Sequence, residues 1–586
     1  MPSPLLPTSY PSAALTWQGR PTWRILATQF GNGVTFLHTW AAWQSDEQRC
    51  EQLHFIAVVE SAVDTDTLLA TVPAQHLQGA QTLCAQLYGL LPGVHRLSFD
   101  QERVHLTLWV GDAHTMLRQQ NSTVDALLVP ASYPSDAHSI KAIARHCQRG
   151  TILEAPKLEA PLLKALESAG FKANSAAAAS VAYYEPHWEP RKRTTAIETR
   201  TTAGTALVVG AGLAGSAIAH SLAVRGWQVT VLGKGAEPAD GASGLPAGLF
   251  CPHVSPDDSV LSRLSRSGVR MTLQRLRDLC HEGQDWGHSG VLEHCTDGGT
   301  GLPSHWQDGI GAQWSHAAST EQLQSVGLDA DTVACWHEQA GWVVPTKLVM
   351  AQLQHPNIQF IGNKHVASVQ FSTSGKWQAL NADGHIVTQA DLAILACGPA
   401  TNSLLLDHIT WPLQALRGQV TWGLHTPGNL TALPPFPVNG NGNLVTHIPF
   451  AQGSGWVMGS TFERDVDTMP ISAEDQIAAH AVNFEKLSTL LPRSAGPLLP
   501  WFTPGDERCQ PTWGRVRVAS HDRLPIAGPI AAPAPHLWAC TAMGARGLTL
   551  SVLCAELIAA QLHGEPLPLD AKLALHLGTE RLSARN

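Results

Sequence analysis

The chain has 586 residues, of which 44% are hydrophobic and 15% charged, and a formal net charge of −9. That length calls for two or three domains rather than one core, and the acidic balance excludes a broadly basic nucleic-acid coat while leaving room for a local patch. The 11 cysteines stand singly, without C-x-x-C pairs or a Cys/His cluster at zinc spacing, which argues against a disulfide framework and gives the expectation of no metal.

At the start, MPSPLLPTSY lacks the basic region and apolar core of a signal peptide, and no apolar run reaches the roughly 18 residues that span a bilayer. A cytoplasmic protein with no membrane partner is expected. Residues 24–185 then alternate between strand and helix patterns. RILATQF, LHFIAVVE, VHLTLWV (104–110) and DALLVP (125–130) read as strands; GNGVTFLHTWAAW, a stretch near 64–90 and LLKALESAGF (162–171) read as helices. This rhythm predicts a mostly parallel sheet with helices on its faces. PHWEPRKRTTAIETRTTAG (186–204) breaks it with Pro, Thr and charges and reads as a linker, carrying the densest basic run, Arg191, Lys192 and Arg193.

From Thr205 a second unit opens with the strand TALVV, followed at once by Gly210-x-Gly212-x-x-Gly215 and a helical pattern. In that context the glycines permit a tight turn, close approach of backbone to a pyrophosphate, and helix–strand packing, with the helix N-terminus toward the phosphates. Leu213 and Ala214 lie inside the same loop. The acid expected about 20 residues later, to hold the ribose hydroxyls, is absent: Gly233 and Lys234 stand there, and Glu237 or Asp240 are the substitutes within reach. Three further stretches favour FAD over a nicotinamide. DGASGLPAGLF (240–250) is a small-residue loop, with Ser243 and Gly244, suited to close backbone approach. LAILACGPA (392–400) is an apolar strand ending at Gly398. MGARGL (543–548) puts Gly544, Arg546, Gly547 and Leu548 at the start of the last long helix, whose amides can stabilise negative charge on a reduced flavin.

VRVASHDRLPIAGPI (516–530) and AMGARGLTLSVLCAELIAAQLHGEPLPLDA (542–571), together with GWQVTVL, GASG, AGWVVP and RGQVTW in order, resemble the MnmC family of bifunctional tRNA 5-methylaminomethyl-2-thiouridine biosynthesis proteins. The broader superfamily is that of D-amino-acid oxidase and glycine oxidase. The resemblance implies an α/β chain in three parts. Residues 1–185 would form a Rossmann-like sheet of S-adenosylmethionine-dependent methyltransferase type, 186–204 a linker, and 205–586 an FAD-binding Rossmann-type domain with an inserted mixed-sheet substrate domain of D-amino-acid oxidase type. It also implies an activity on the tRNA wobble uridine: oxidation of the carbon–nitrogen bond of a 5-carboxymethylaminomethyl group, leaving 5-aminomethyl. A substrate carboxylate beside the flavin needs a fixed cation, preferably a guanidinium. Arg517 and Arg546 are the candidates, with Arg417 a weaker third.

For the first part the resemblance implies S-adenosylmethionine held at Gly31, Gly33 and Asp112. Three departures oppose methyl transfer. Asn32 and Thr35 replace the usual neighbours of the glycines. The ribose-binding acid falls on Val59 in register, with Glu60 one place later, where a strand turns the side chain to the opposite face. Pro130, Ala131 and Ser132 occupy the place of the family's Asp-Gly-Phe, whose aspartate is the expected catalytic acid. The expectation is a first domain that keeps its fold but has lost methyl transfer. Two other readings of the chain are an amine oxidase for a small glycine-type substrate and a non-catalytic flavin-bound scaffold.

Overall fold

The computed structural model describes residues 14–173, 180–189, 199–200, 202–296, 298–306, 309–405, 409–530 and 535–583. The basic run Arg191–Arg193, the leading MPSPLLPTSY and residues 174–179 lie outside them. The chain divides into two units, one of 1–202 with Ala559–Ala574 and one of Ala203–Ile558 with 575–586.

In the first unit the strands are β1 (Thr22–Ala27), β2 (Gln52–Val59), β3 (Gly93–Phe99), β4 (Val104–Val110), β5 (Val124–Leu128), β6 (Cys147–Glu154), β7 (Phe171–Ala173) and β8 (Val181–Tyr184). They form one sheet in the order β3-β4-β2-β1-β5-β6-β8-β7. The centre is parallel, and β3, β7 and β8 add antiparallel pairings at the two edges. β2 is buried along its whole length, as a parallel strand covered on both faces must be. The strand order reverses at β1, and β1, β2, β4 and β5 all end on one edge, where an open α/β sheet binds its ligand. The stretch near 64–90 is not one helix. Thr65–Thr71 stops at Val72, ahead of Pro73, and a 3₁₀ turn leads into Leu77–Cys84, because a proline cannot continue a helix through its own position.

A second departure concerns the end of the chain. The second unit was expected to run unbroken over 205–586, yet Ala559–Ala574 belongs with the first unit. Donors of the first unit find acceptors there: Arg96 Nη2 donates to the Pro566 carbonyl, Arg24 Nη1 to the Gly564 carbonyl at 3.2 Å, and Gln120 Nε2 to Asp570 Oδ1 at 3.2 Å. Sequence periodicity sees a helix followed by a proline-rich tail; it has no term for such long-range carbonyls.

The second unit carries its nucleotide-type sheet in the order Ile358–Ile361, β10 (Gln228–Leu232), β9 (Thr205–Val209), Leu392–Leu395, Leu537–Thr541 and Ile526–Pro529, parallel except for the last pairing. Between these strands the chain builds a nine-stranded sheet that includes Val291–His294, Ala334–His337, Leu413–Leu424 and Trp513–Ser520. Its antiparallel register sets Leu416 opposite Arg517. The helix Ala473–Leu490 covers this sheet, with Leu487 and Leu490 packed beside Trp456, Trp501 and Phe502. Among the described residues no helix is long and apolar enough to cross a membrane.

Candidate active site

β9 delivers Gly210 at its carboxyl end, and the helix Leu213–Ala223 departs immediately afterwards. Gly210 has φ 112°, and a Cβ on it would stand 2.4 Å from the Ala396 carbonyl oxygen. A Cβ on Gly215 would stand 1.8 Å from the Gly210 oxygen. Strand, loop and helix thus approach more closely than any side chain allows. The first-turn amides of the helix have no intrahelical acceptor and carry the positive end of its dipole. Ser243 Oγ accepts the Leu213 amide at 2.9 Å, which ties the small-residue loop over the helix start.

These elements open into a cavity of ≈ 1580 Å³, larger than the roughly 300–1,000 Å³ of an ordinary small-molecule pocket. Gly210, Gly212, Leu213, Ala214, Ser243, Gly398, Gly544, Arg546, Gly547 and Leu548 all line it. Gly215 and Gly244 do not line it. They lie behind the loop and allow its packing, a Cβ on Gly244 meeting the Ala239 oxygen at 2.7 Å. A cavity of this volume, lined by a glycine cradle and a helix N-terminus, fits FAD, with the cradle suited to phosphates.

Of the two substitutes for the missing ribose acid, Asp240 lines the cavity and Glu237 does not. Asp240→Ala is expected to raise the flavin dissociation constant by about tenfold, the worth of a charge-assisted hydrogen bond to a hydroxyl. Flavin fluorescence titration of the apoprotein measures this, and an unchanged constant removes Asp240 from the ribose.

The three arginines part company. Arg417 Nε donates to Glu463 Oε2 at 2.6 Å and Nη2 to Asp475 Oδ2 at 2.8 Å, while Nη1 takes the Thr468 carbonyl. Its guanidinium is consumed by structure, so Arg417 is not a substrate cation. Arg517 and Arg546 both line the cavity, half-buried, and among the described residues neither has a carboxylate partner. Arg517 makes only long contacts, 3.3 Å to Ser460 Oγ and 3.4 Å to the Thr461 carbonyl, with its guanidinium 4.8 Å from the Phe462 ring. Burial presses its pKa below the usual arginine value. Burial and the neighbouring Arg523 do the same for Arg546, against a smaller opposing pull from Glu293. Sequence reasoning passed over Glu293, His253 and Ser460, which share this wall. No local motif marks them, because strands far apart in the chain bring them together.

In the first unit Gly31 and Gly33 both have positive φ, 59° and 83°, and Gly33 caps the helix Val34–Ser45. Glu60 corrects an expectation. β2 ends at Val59, so strand alternation no longer governs Glu60, and its Oε1 accepts the Ala113 amide at 3.0 Å. It therefore reaches the turn after β4, where exposed Asp112 accepts the Thr115 amide at 2.8 Å and caps the next helix. After β5, Pro130–Tyr133 form a tight turn closed by Tyr133 N–H to the Pro130 carbonyl at 3.0 Å. Asp136, the next acid along the chain, is spent capping the helix Ala137–Ala144 through the His138 and Ser139 amides.

Residues 205–561 match the family model described as FAD dependent oxidoreductase. The chain is 48% identical to the tRNA 5-methylaminomethyl-2-thiouridine biosynthesis bifunctional protein MnmC of Delftia acidovorans, over 97% of this chain and 93% of that protein. It is 47% identical to the protein of the same description from Verminephrobacter eiseniae, over 97% of each. Among solved structures, glycine oxidase from Geobacillus kaustophilus superposes with a TM-score of 0.50 at 18% identity, covering 64% of this chain and 98% of that one, which shows the shared fold.

Proposed function

Because the chain belongs to the family of bifunctional tRNA 5-methylaminomethyl-2-thiouridine biosynthesis proteins, we propose that it removes the carboxymethyl group from 5-carboxymethylaminomethyl-(2-thio)uridine at the tRNA wobble position, and that its first unit no longer transfers the methyl group. It is an FAD-dependent oxidoreductase acting on CH–NH groups. When bound, FAD supplies the hydride acceptor for the carbon beside the nitrogen. The chain's own residues do the rest. Arg517 and Arg546 take the carboxylate and so fix which carbon is presented; the apolar wall around Leu245, Leu249 and Val420 limits water at the reacting carbon. Hydrolysis of the resulting imine gives glyoxylate and the 5-aminomethyl base. A cytoplasmic location agrees with tRNA as substrate.

The observation that carries this reading is a pair of half-buried guanidinium groups, free of carboxylate partners among the described residues, on the wall of a cavity that fits FAD. For the first unit it is the proline turn after β5. Methyl transfer to an amine needs a neutral nitrogen held toward the methyl group, and the Pro130 side chain supplies neither an acceptor nor a charge. The glycine turn follows β1, while Glu60 and Asp112 follow β2 and β4 at the same carboxyl edge, which supports continued binding of S-adenosylmethionine, the family's second cofactor.

The test is to incubate the holoenzyme with tRNA bearing the carboxymethylaminomethyl group, with and without S-adenosylmethionine, and weigh the nucleosides. The expected product is 5-aminomethyl in both samples. A methylated product overturns the reading of the first unit, and an unaltered base overturns that of the second.

A further inference from the structure

Outside every motif read from the sequence, the strand Val291–His294 presents Glu293 to the lumen. Its Oε2 receives His337 Nε2 at 2.9 Å and Asn439 Nδ2 at 3.3 Å, and His337 Nδ1 meets Ser315 Oγ at 2.7 Å. His337 and Ser315 are fully buried, whereas the Glu293 side chain keeps 32% of its surface exposed, toward the cavity. Cys251 brings its sulfur to the same place, the polar atoms of Cys251, Glu293 and His337 lying within 4.8 Å of one another. Burial pushes the Cys251 thiol well above its ordinary pKa, so it stays neutral.

Burial alone would raise the Glu293 pKa. The hydrogen bonds and charge of His337, the bond from Asn439 and the charge of His253 outweigh it and hold the group below the ordinary carboxylate range. A cavity with two unpaired guanidinium groups and one fixed carboxylate is complementary to a zwitterion. An N-substituted glycine is such a molecule: its carboxylate answers the arginines and its ammonium needs an acceptor.

We propose that Glu293, oriented by His337, receives the substrate's secondary ammonium and takes one proton from it before oxidation. This rests on the reading that the substrate is a glycine attached to a base. In the step one N–H bond breaks, its electron pair remains on nitrogen as the lone pair that a carbon–nitrogen double bond requires, and a new O–H bond forms on Glu293. Nothing is oxidised or reduced in it. Arg546, charged and close enough to feel Glu293, helps keep Glu293 ionised at rest and so able to accept, and it favours the neutral over the charged amine beside it. The titratable and charged groups facing Glu293 are His337, His253, Cys251, Cys335 and Arg546. Glu293 is a catalytic residue in this scheme and His337 a positioning residue.

The experiment compares wild type, Glu293→Gln and His337→Asn as flavin-loaded proteins. Binding of N-methylglycine and of methoxyacetate, which has an ether oxygen in place of the amine, is followed by the flavin absorbance change. Anaerobic flavin reduction by N-methylglycine and by the modified tRNA is followed against pH. Glu293→Gln is expected to bind N-methylglycine about tenfold more weakly and methoxyacetate as wild type does. Its rising pH limb should move up by about one unit or more, toward the pKa of the free amine. His337→Asn should shift the same way by less, and Glu293→Asp should recover part of the loss; His337→Asn decides the matter if Glu293→Gln does not retain flavin. Equal probe discrimination and an unmoved pH limb in these variants overturn the assignment, as does a wild type that does not discriminate between the probes. If the tRNA reduces no variant while N-methylglycine still discriminates, the tRNA reading fails and the role of Glu293 stands.

Discussion

Arg517→Ala is expected to lower kcat/KM for the modified tRNA by about 100-fold, mostly through KM, while flavin content and melting temperature stay at or above wild-type values. The magnitude follows from the lost contact. A guanidinium–carboxylate pair with charge-assisted hydrogen bonds is worth about 1.5–3 kcal/mol, and each ~1.4 kcal/mol is a factor of ten. The stability half of the expectation separates a substrate cation from a structural one. Arg517 lacks a carboxylate among the described residues, its Nε is buried without a partner, and burial already opposes its charge. Removing it removes a desolvation cost. Arg417, held by Glu463 and Asp475, is the contrast: truncating it leaves two carboxylates facing each other and should lower the melting temperature. Steady-state kinetics with tRNA and differential scanning calorimetry read the two halves. An Arg517→Ala protein with unchanged kcat/KM, or one that loses stability as Arg417→Ala does, takes Arg517 out of the site.

What the sequence discloses about this chain is what backbone chemistry writes locally. Gly210, Gly212 and Gly215 are legible because a strand–glycine–helix turn leaves no freedom at those positions, and a Cβ at either of the outer two would enter a carbonyl oxygen. Asp240 and Glu237 could not be separated by spacing. Which of them meets the cavity depends on the path of one turn, tightened where Gly235 packs on the Asp240 side chain. Arg517 and Arg417 both read as arginines on apolar strands, Arg417 the weaker candidate. Their fates differ because Glu463 and Asp475 reach one and not the other, through pairings over about 46 and 58 residues. Glu60 misled for a related reason: alternation is a rule for residues inside a strand, and the strand stops one residue earlier. Glu293 carried no signal at all, since its partners come from His337 and Asn439, each on another strand of the mixed sheet.

Gly215→Ala is expected to yield a colourless protein with no oxidase activity, whereas Gly31→Ala leaves the flavin in place. The two positions come from similar-looking loops, and the difference lies in what a methyl group would meet. At Gly215 it would lie 1.8 Å from the Gly210 oxygen, which is backbone and cannot rotate aside, so the helix must back away from the strand. Overpacking of that kind costs about 1–3 kcal/mol. The larger effect is on the cofactor, because the first-turn amides that would hold its phosphates move with the helix. Gly212→Ala gives the intermediate case. Its methyl group would meet Ser243 Oγ at 2.8 Å, a side chain that can swing away at the expense of its bond to the Leu213 amide, so weakened but measurable flavin binding is expected. At Gly31 a methyl group meets nothing within 4 Å, and only the positive φ of 59° opposes it, a cost of about 1 kcal/mol confined to the first unit. The ratio of flavin to protein absorbance ranks the three variants. A yellow Gly215→Ala protein at full occupancy would show that close packing behind the loop does not set the phosphate cradle, and the order Gly215, Gly212, Gly31 would lose its physical basis.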